Sequence, residues 1–221
     1  MILAGSVLVN GQKSGKPGHS IAADAKIDML EKMPYVSRGG YKLAGALDHW
    51  NIAVRYRLCI DVGASTGGFT DCLLQRGARR VFATDVGHGQ LDWGLRNDPR
   101  VVVNEGVNAR FLSLADFPEP FDLAVCDASF ISLTLLVSAI ASVLAPRGEM
   151  VLLIKPQFEV EREQVGKGGI VRDAELHAAA CRRVNRAVSA MGYVTDIMES
   201  PIQGAEGNRE FLLYAKRTDK N

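Results

Sequence analysis

No run in this 221-residue chain is apolar enough to cross a bilayer. The longest, Leu133 to Ala145, is interrupted by Ser138 and Ser142 and falls well short of the roughly 20 residues a spanning helix needs. A basic-then-apolar leader is also missing, because Met1 to Asn10 runs directly into Gly11, Lys13 and Lys16; the expectation is a cytoplasmic protein with no secretion signal. Cysteine is scarce. Cys59, Cys72, Cys126 and Cys181 include no C-x-x-C pair, which argues against a zinc site or a thioredoxin motif, and they read as reduced, small apolar residues. With only 8 prolines and 47% hydrophobic residues, the composition also excludes disordered and collagen-like classes. The length allows one full α/β domain and a small appendage, since single cores rarely grow past about 250 residues.

Charge is nearly balanced at +1 overall but unevenly spread. The excess of Lys and Arg falls in residues 1–57 and the slight acidic excess in residues 58–221. A basic end fits a polyanionic partner, and it fits a solvated surface equally well.

From Leu58 onward, β-branched runs alternate with helical patterns, the signature of a parallel sheet covered by helices. The expected strands are Leu58–Val62, Val81–Val86, Val101–Asn104, Leu123–Cys126, Met150–Ile154, Tyr193–Glu199 and Phe211–Lys216. Helices are expected over 41–50, 66–76, 132–144 and 174–191, the last capped by Asp173 and Gly192. Only a polar loop separates the last two strands, which predicts an antiparallel pair at the edge of a parallel sheet. That arrangement belongs to the methyltransferase version of the Rossmann-like sheet. Upstream, Ser6 to Gly11 reads as a strand entering an Asn-Gly turn, and Lys16-Pro17-Gly18 as a second turn, together a fragment of a small β-rich module.

The sharpest local signal is Asp61-Val62-Gly63-Ala64-Ser65-Thr66-Gly67-Gly68-Phe69, between a predicted strand and a predicted helix. Glycines there let the backbone approach a ligand where helix N-terminal amides point outward. The G-x-G-x-x-G spacing of a dinucleotide site is absent. Asp85, ending the next strand, is placed to accept hydrogen bonds from both hydroxyls of a nucleoside ribose. The same loop also matches the G-x-S-x-G nucleophile elbow at Ser65. A hydrolase would need a histidine in a late loop, and neither His88 nor His177 is in one. Asp127 and Lys155 follow two further strands and fit either a structural ion pair or catalytic groups facing one cleft.

Six stretches taken together resemble the TlyA (hemolysin A-like) family. They are Ser37-Arg38-Gly39-Gly40-Tyr41-Lys42-Leu43, Asp61 to Phe69, Asp85 to Gln90, Lys155-Pro156-Gln157-Phe158, Lys167 to Asp173 and Gly207-Asn208-Arg209-Glu210-Phe211. The resemblance implies an S-adenosylmethionine-dependent ribosomal RNA methyltransferase with an FtsJ-type (RrmJ-like) catalytic domain, some members of the family bearing a hemolysin label. It implies a seven-stranded Rossmann-like sheet with an antiparallel final strand, over residues 42–221. Residues 1–33 are expected to be a partial RNA-binding module of the ribosomal-protein type, because Ala4 to Ile27 resembles only its later part, with 34–41 as linker.

The resemblance also implies a Lys-Asp-Lys-Glu tetrad at Lys42, Asp127, Lys155 and Glu210. Cofactor contacts are expected from Asp61, Gly63, Ser65, Gly67, Gly68, Phe69, Asp85, Val86, Asn108 and Asp127, and RNA contacts from Arg38, Lys167 and Arg172. No metal is required, since a sulfonium methyl is already activated and the protein has only to align reactants and remove a proton. Lys155 is the expected base. An unperturbed lysine is protonated at neutral pH, so Lys42 and desolvation would have to favour its neutral form against Asp127 and Glu210. On this reading Asp127 and Glu210 orient Lys155 while Lys42 holds the target ribose or phosphate. Two other classes compete: a non-catalytic RNA-binding protein that retains the fold, and a cytolysin, which the lack of a spanning segment disfavours.

Overall fold

The computed structural model describes residues 7–13, 18, 20–22, 24–29, 33–204 and 207–217. The chain divides into two compact units, Met1–Pro34 and Tyr35–Asn221. In the first, β1 (Val7–Val9) pairs antiparallel with β2 (Gln12–Lys13) and β3 (Ile27–Met29). The Asn-Gly turn forms as expected. Asn10 and Gly11 adopt φ of 50° and 79°, the left-handed pair a two-residue hairpin requires, and Asn10 Oδ1 accepts from the Lys26 amide at 2.9 Å. Ala4 to Ser6, and Lys16 and Pro17 of the second expected turn, lie outside the described residues.

The second unit contains α1 (Gly39–His49), β4 (Leu58–Val62), α2 (Gly68–Gln75), β5 (Arg80–Asp85), α3 (Trp93–Arg96) and β6 (Val101–Glu105). It continues with β7 (Phe121–Cys126), α4 (Val137–Ser142), β8 (Leu144–Ile154), α5 (Ala174–Ser189), β9 (Tyr193–Glu199) and β10 (Phe211–Arg217). These strands form one sheet in the order β6-β5-β4-β7-β8-β10-β9. β10 runs antiparallel to both neighbours, while β4 to β8 are mutually parallel. The final pair is antiparallel as expected, but β10 is inserted inside the sheet and leaves β9 at the edge.

Period-two alternation sorts the core onto the two faces of this sheet. Leu58, Ile60 and Val62 of β4 join Met150, Leu152 and Ile154 of β8 in the cluster under α4 and α5. Cys59, Leu123, Val125, Val151 and Leu153 pack on the other face under α1 and α2. Asp61 occupies that second face too, a fully buried carboxylate among apolar neighbours.

Element boundaries moved where backbone geometry overrode pattern. α2 starts at Gly68 instead of residue 66, since Ser65 at φ 47° and Gly67 at φ 97° hold the preceding loop out of helical space. The helix expected over 132–144 is a 3-10 turn, Leu133–Leu135, followed by the short α4. Leu144 already pairs with Phe121, and a register shift then carries the strand to the Leu123–Glu149 pairing, so β8 begins before Pro146. α1 begins at Gly39, inside the stretch expected as linker. α3 was not anticipated; Asp92 caps it by accepting from the Gly94 amide at 2.8 Å.

Phe121 is fully buried, with its ring centroid 4.9 Å from Phe117 and 5.2 Å from Phe82. Phe121→Ala is expected to lower unfolding free energy by about 3–5 kcal/mol in urea titration. A loss under about 1 kcal/mol would show that the cluster refills the space.

Candidate active site

The carboxyl ends of the parallel strands converge on one edge, where open α/β sheets bind ligands. Two cavities open there. The larger, about 610 Å³, is lined by Gly63, Ser65, Asp85, Val86, Asn108 and Asp127, all expected from sequence, and on its apolar side by Val107, Ile131 and Leu136. The smaller, about 150 Å³, lies against Ser37, Gly39, Gly68, Phe69 and Lys155, and it shares Gly63, Ser65, Asp127 and Ser129 with the larger one.

Backbone geometry shapes the larger cavity. A Cβ on Gly63 would stand 2.9 Å from the Asp127 carbonyl oxygen, so only glycine lets the two loops approach this closely. Asp85 Oδ2 accepts from the Ser65 amide at 2.8 Å and Oδ1 from the Gly87 amide at 2.7 Å. Both oxygens are thereby fixed, each with lone-pair capacity left for a diol. The Thr84 hydroxyl, buried in the cavity wall, has no hydrogen-bond partner among the described residues. Asn108 Oδ1 accepts from the Arg110 amide at 3.1 Å, which pins its side chain at the rim.

Four expected cofactor residues contribute differently from the expectation. Asp61 lines neither cavity; it is wholly buried under the loop and accepts from Thr70 Oγ1 at 2.7 Å. Burial pushes its carboxyl up to about 7, with the Asp127 and Asp85 carboxylates adding to the rise against the Thr70 hydrogen bond. Gly67 packs under α3, where a Cβ would meet Leu95 Cδ1 at 2.3 Å. Gly68 and Phe69 line the smaller cavity alone.

The four tetrad residues form two ion pairs. Lys155 Nζ stands 2.6 Å from Asp127 Oδ1 and donates to Ser129 Oγ at 2.7 Å. Lys42 Nζ donates to Glu210 Oε2 at 2.6 Å, with both side chains nearly buried. The pairs are neighbours, because Ile154 pairs with Phe211 and so Lys155 and Glu210 flank the same rung of the sheet. Lys42 and Glu210 line neither cavity, which departs from the roles expected of them. Glu210 is committed to Lys42 and Lys42 to Glu210, so only Asp127 of the two carboxylates contacts Lys155.

Of the residues expected on RNA, Arg38 is exposed and donates to the Gln203 carbonyl oxygen at 2.6 Å. Lys167 and Arg172 are exposed in a loop whose Gly168 and Gly169 have φ of 78° and 76°. Sequence reading missed the residue that ties this loop down. Asn208 accepts from the Val171 amide at 3.1 Å and donates to the Gly169 carbonyl oxygen at 2.9 Å. It also missed Ser129, two residues beyond Asp127, and Glu159, a buried carboxylate raised by desolvation that accepts from Ser132 Oγ and the Leu133 amide. Phe130 was missed as well; it is 91% exposed on strained backbone at φ 64°, its ring centroid 5.3 Å from that of Phe158.

Competing chemistries find no support in this geometry. Ser65 Oγ donates to Gln90 Oε1, His177 is buried against the Val171 carbonyl oxygen, and among the described residues no histidine hydrogen-bonds to Ser65. No cluster of metal-ligating side chains occurs among the described residues. Nor is any described helix long and apolar enough to cross a membrane.

Comparison with known proteins gives concordant results. The sequence profile of the FtsJ-like methyltransferase family matches residues 35–217. The "Putative rRNA methyltransferase YqxC" of Bacillus subtilis is 45% identical over 96% of this chain and 77% of its own length. The 16S/23S rRNA (cytidine-2'-O)-methyltransferase TlyA of Mycobacterium tuberculosis is 43% identical over 100% of this chain and 84% of its own. The solved structure "Putative hemolysin from Streptococcus thermophilus" superposes with TM-score 0.82 at 45% identity, covering 99% of this chain and 81% of that one.

The Asp61 carboxyl, raised to about 7 in the fold against about 4 in an unfolded chain, favours folding in its neutral form. Its contribution is complete below pH about 4 and is lost as pH rises through about 7. Urea titrations at pH 5 and 8 are expected to show a larger loss of stability for the native chain than for Asp61→Asn. Equal losses would mean that Asp61 ionises normally where it is buried.

Proposed function

The chain belongs to the FtsJ-like methyltransferase family, and on that premise we propose that it moves a methyl group from S-adenosylmethionine to a ribose 2′-hydroxyl of ribosomal RNA. The observation that carries this reading is the Lys155 ammonium, held by Asp127 and Ser129 where the two cavities meet. When bound, S-adenosylmethionine supplies a methyl group already activated by its sulfonium.

The residues of the larger cavity fit that cofactor. Asp85, with both oxygens oriented by backbone amides, accepts from the ribose diol. Val86, Val107 and Ile131 give a base its apolar walls, and Asn108 stands at the rim to meet its polar edge. Gly63 and Ser65 line the cavity, Gly67 and Asp61 hold the loop in shape from behind, and Gly68 and Phe69 line the smaller cavity beside it.

The smaller cavity takes the target ribose. Lys155 in its neutral form accepts the proton of the 2′-hydroxyl as the oxygen attacks, and Asp127 pairs with the ammonium that results. The Lys42–Glu210 pair braces α1 against the start of β10 and thereby the wall behind Lys155. Phe130 offers an exposed ring on which a base lifted from its stack can rest. Arg38, Lys167 and Arg172 contact phosphates, and residues 1–33 add RNA affinity. Ribosomal RNA as substrate implies work in the cytoplasm.

Incorporation of tritiated methyl into ribosomal RNA, read as 2′-O-methylnucleoside after digestion, tests the reaction. Lys155→Met is expected to reduce kcat by at least about 10²-fold, and the native rate should rise between pH 6 and 9. Cofactor binding without any methyl transfer would favour the non-catalytic reading. With chemistry rate-limiting, a flat pH profile would remove Lys155 as base.

RNA binding should weaken with added salt. Lys167→Ala and Arg172→Ala are each expected to reduce the slope of log K against log salt by about 1. An unchanged slope for both would assign the RNA footprint to another face.

A further inference from the structure

The two partners of Lys155 act on its nitrogen in physically different ways. Asp127 Oδ1 approaches at 2.6 Å as an ion-pair contact, whereas Ser129 Oγ, at 2.7 Å, accepts a directed hydrogen bond. A Coulomb attraction fixes where the ammonium is but hardly how it is rotated about the Cε–Nζ bond. A hydrogen bond, which weakens steeply with misalignment, fixes rotation. The difference grows in the state that reacts. A neutral amine has lost the charge that Asp127 attracts, yet it keeps two N–H donors and can still donate to Ser129.

We propose that Ser129 is a positioning residue for the transfer, its hydroxyl setting the direction in which the Lys155 lone pair points at the target hydroxyl. This inference rests on the reading of Lys155 as base. Ser129 is suited to the role by its place: it follows β7 two residues after Asp127 and borders both cavities, while the nitrogen it orients belongs to a residue that lines the smaller one. Its side chain is exposed, and the hydrogen bond to Lys155 is the one this hydroxyl makes among the described residues. Removing the hydroxyl therefore disturbs the lysine and little of the fold.

The test measures kcat and KM for both substrates in the full chain, with ribosomal RNA as acceptor, for Ser129→Ala, Ser129→Thr and Lys155→Met. Ser129→Ala is expected to lose about tenfold in kcat with KM for S-adenosylmethionine and RNA unchanged, a difference of about 1.4 kcal/mol in the transition state. Ser129→Thr, which restores a hydroxyl, should return to within about twofold of the native rate. Native kcat in Ser129→Ala beside an inactive Lys155→Met would overturn the positioning role and leave the base in place. A raised KM with unchanged kcat would also overturn it, assigning Ser129 to binding alone. Native kcat in Lys155→Met would overturn the base itself and this inference with it.

Discussion

A carboxylate and an ammonium held 2.6 Å apart at one edge of a sheet is the constraint to which the rest of the second unit conforms. Asp127 and Lys155 each follow a strand, and β7 and β8 are parallel neighbours, so both groups emerge on the same side. Parallel pairing demands long crossovers, here filled by α4 and the segments around it, and it buries both faces of the strands. The apolar runs Leu123–Cys126 of β7 and Met150–Ile154 of β8 follow from that burial, and Asp127 and Lys155 come directly after them. Glycine at position 63 completes the arrangement, since a side chain there would push the glycine loop away from Asp127.

The second ion pair obeys a different logic. Lys42 and Glu210 are almost sealed from water, and taking two charges out of water costs about as much as their attraction returns. Such a pair is weak evidence for stability and better evidence for register. It joins a helix near the start of the unit to the residue just ahead of the last strand, over a separation of 168 positions. The Glu210 carboxylate also fills space that a side chain at Gly204 would need, so the loop before β10 is shaped around it.

Much of this was legible in the sequence because strands buried on both faces announce themselves as apolar runs. Leu58–Val62, buried at every position, has the bounds its run suggests, and the half-exposed edge strand Tyr193–Glu199 has the bounds its alternation suggests. The failures are instructive. β8 extends backward through Ala145-Pro146-Arg147-Gly148, a stretch left between the expected helix and the expected strand, because a register shift against β7 accommodates it. The glycine loop was recognised, but its pattern does not say which glycines face a ligand. Gly63 approaches Asp127, whereas Gly67 meets Leu95, a residue of a four-residue helix too short to leave a periodic signal. Asp61 was expected to contact the cofactor from the family resemblance, yet alternation within its strand turns the side chain inward beneath Thr70. Ser129 and Asn208 escaped notice since a single polar residue carries no pattern, and their roles depend on contacts 26 and 37 positions away.

The antiparallel insertion of β10 explains how a tetrad drawn from the whole unit can meet at all. In a purely parallel sheet every strand delivers its last residue to the ligand edge, and the residues that precede strands lie at the far edge. β10 runs the other way, so its beginning lies at the ligand edge, and Glu210 enters just ahead of Phe211, opposite Ile154. Without the reversal, Glu210 would be a strand length from Lys155, and Lys42 would lack its buried counter-charge. The loop before β10 gains the same proximity. Through Asn208 it holds the amide of Val171 and the carbonyl of Gly169, the segment that carries Lys167 and Arg172. One inverted strand therefore brings to a single edge the charges that brace the site and the loop that presents cations beside it.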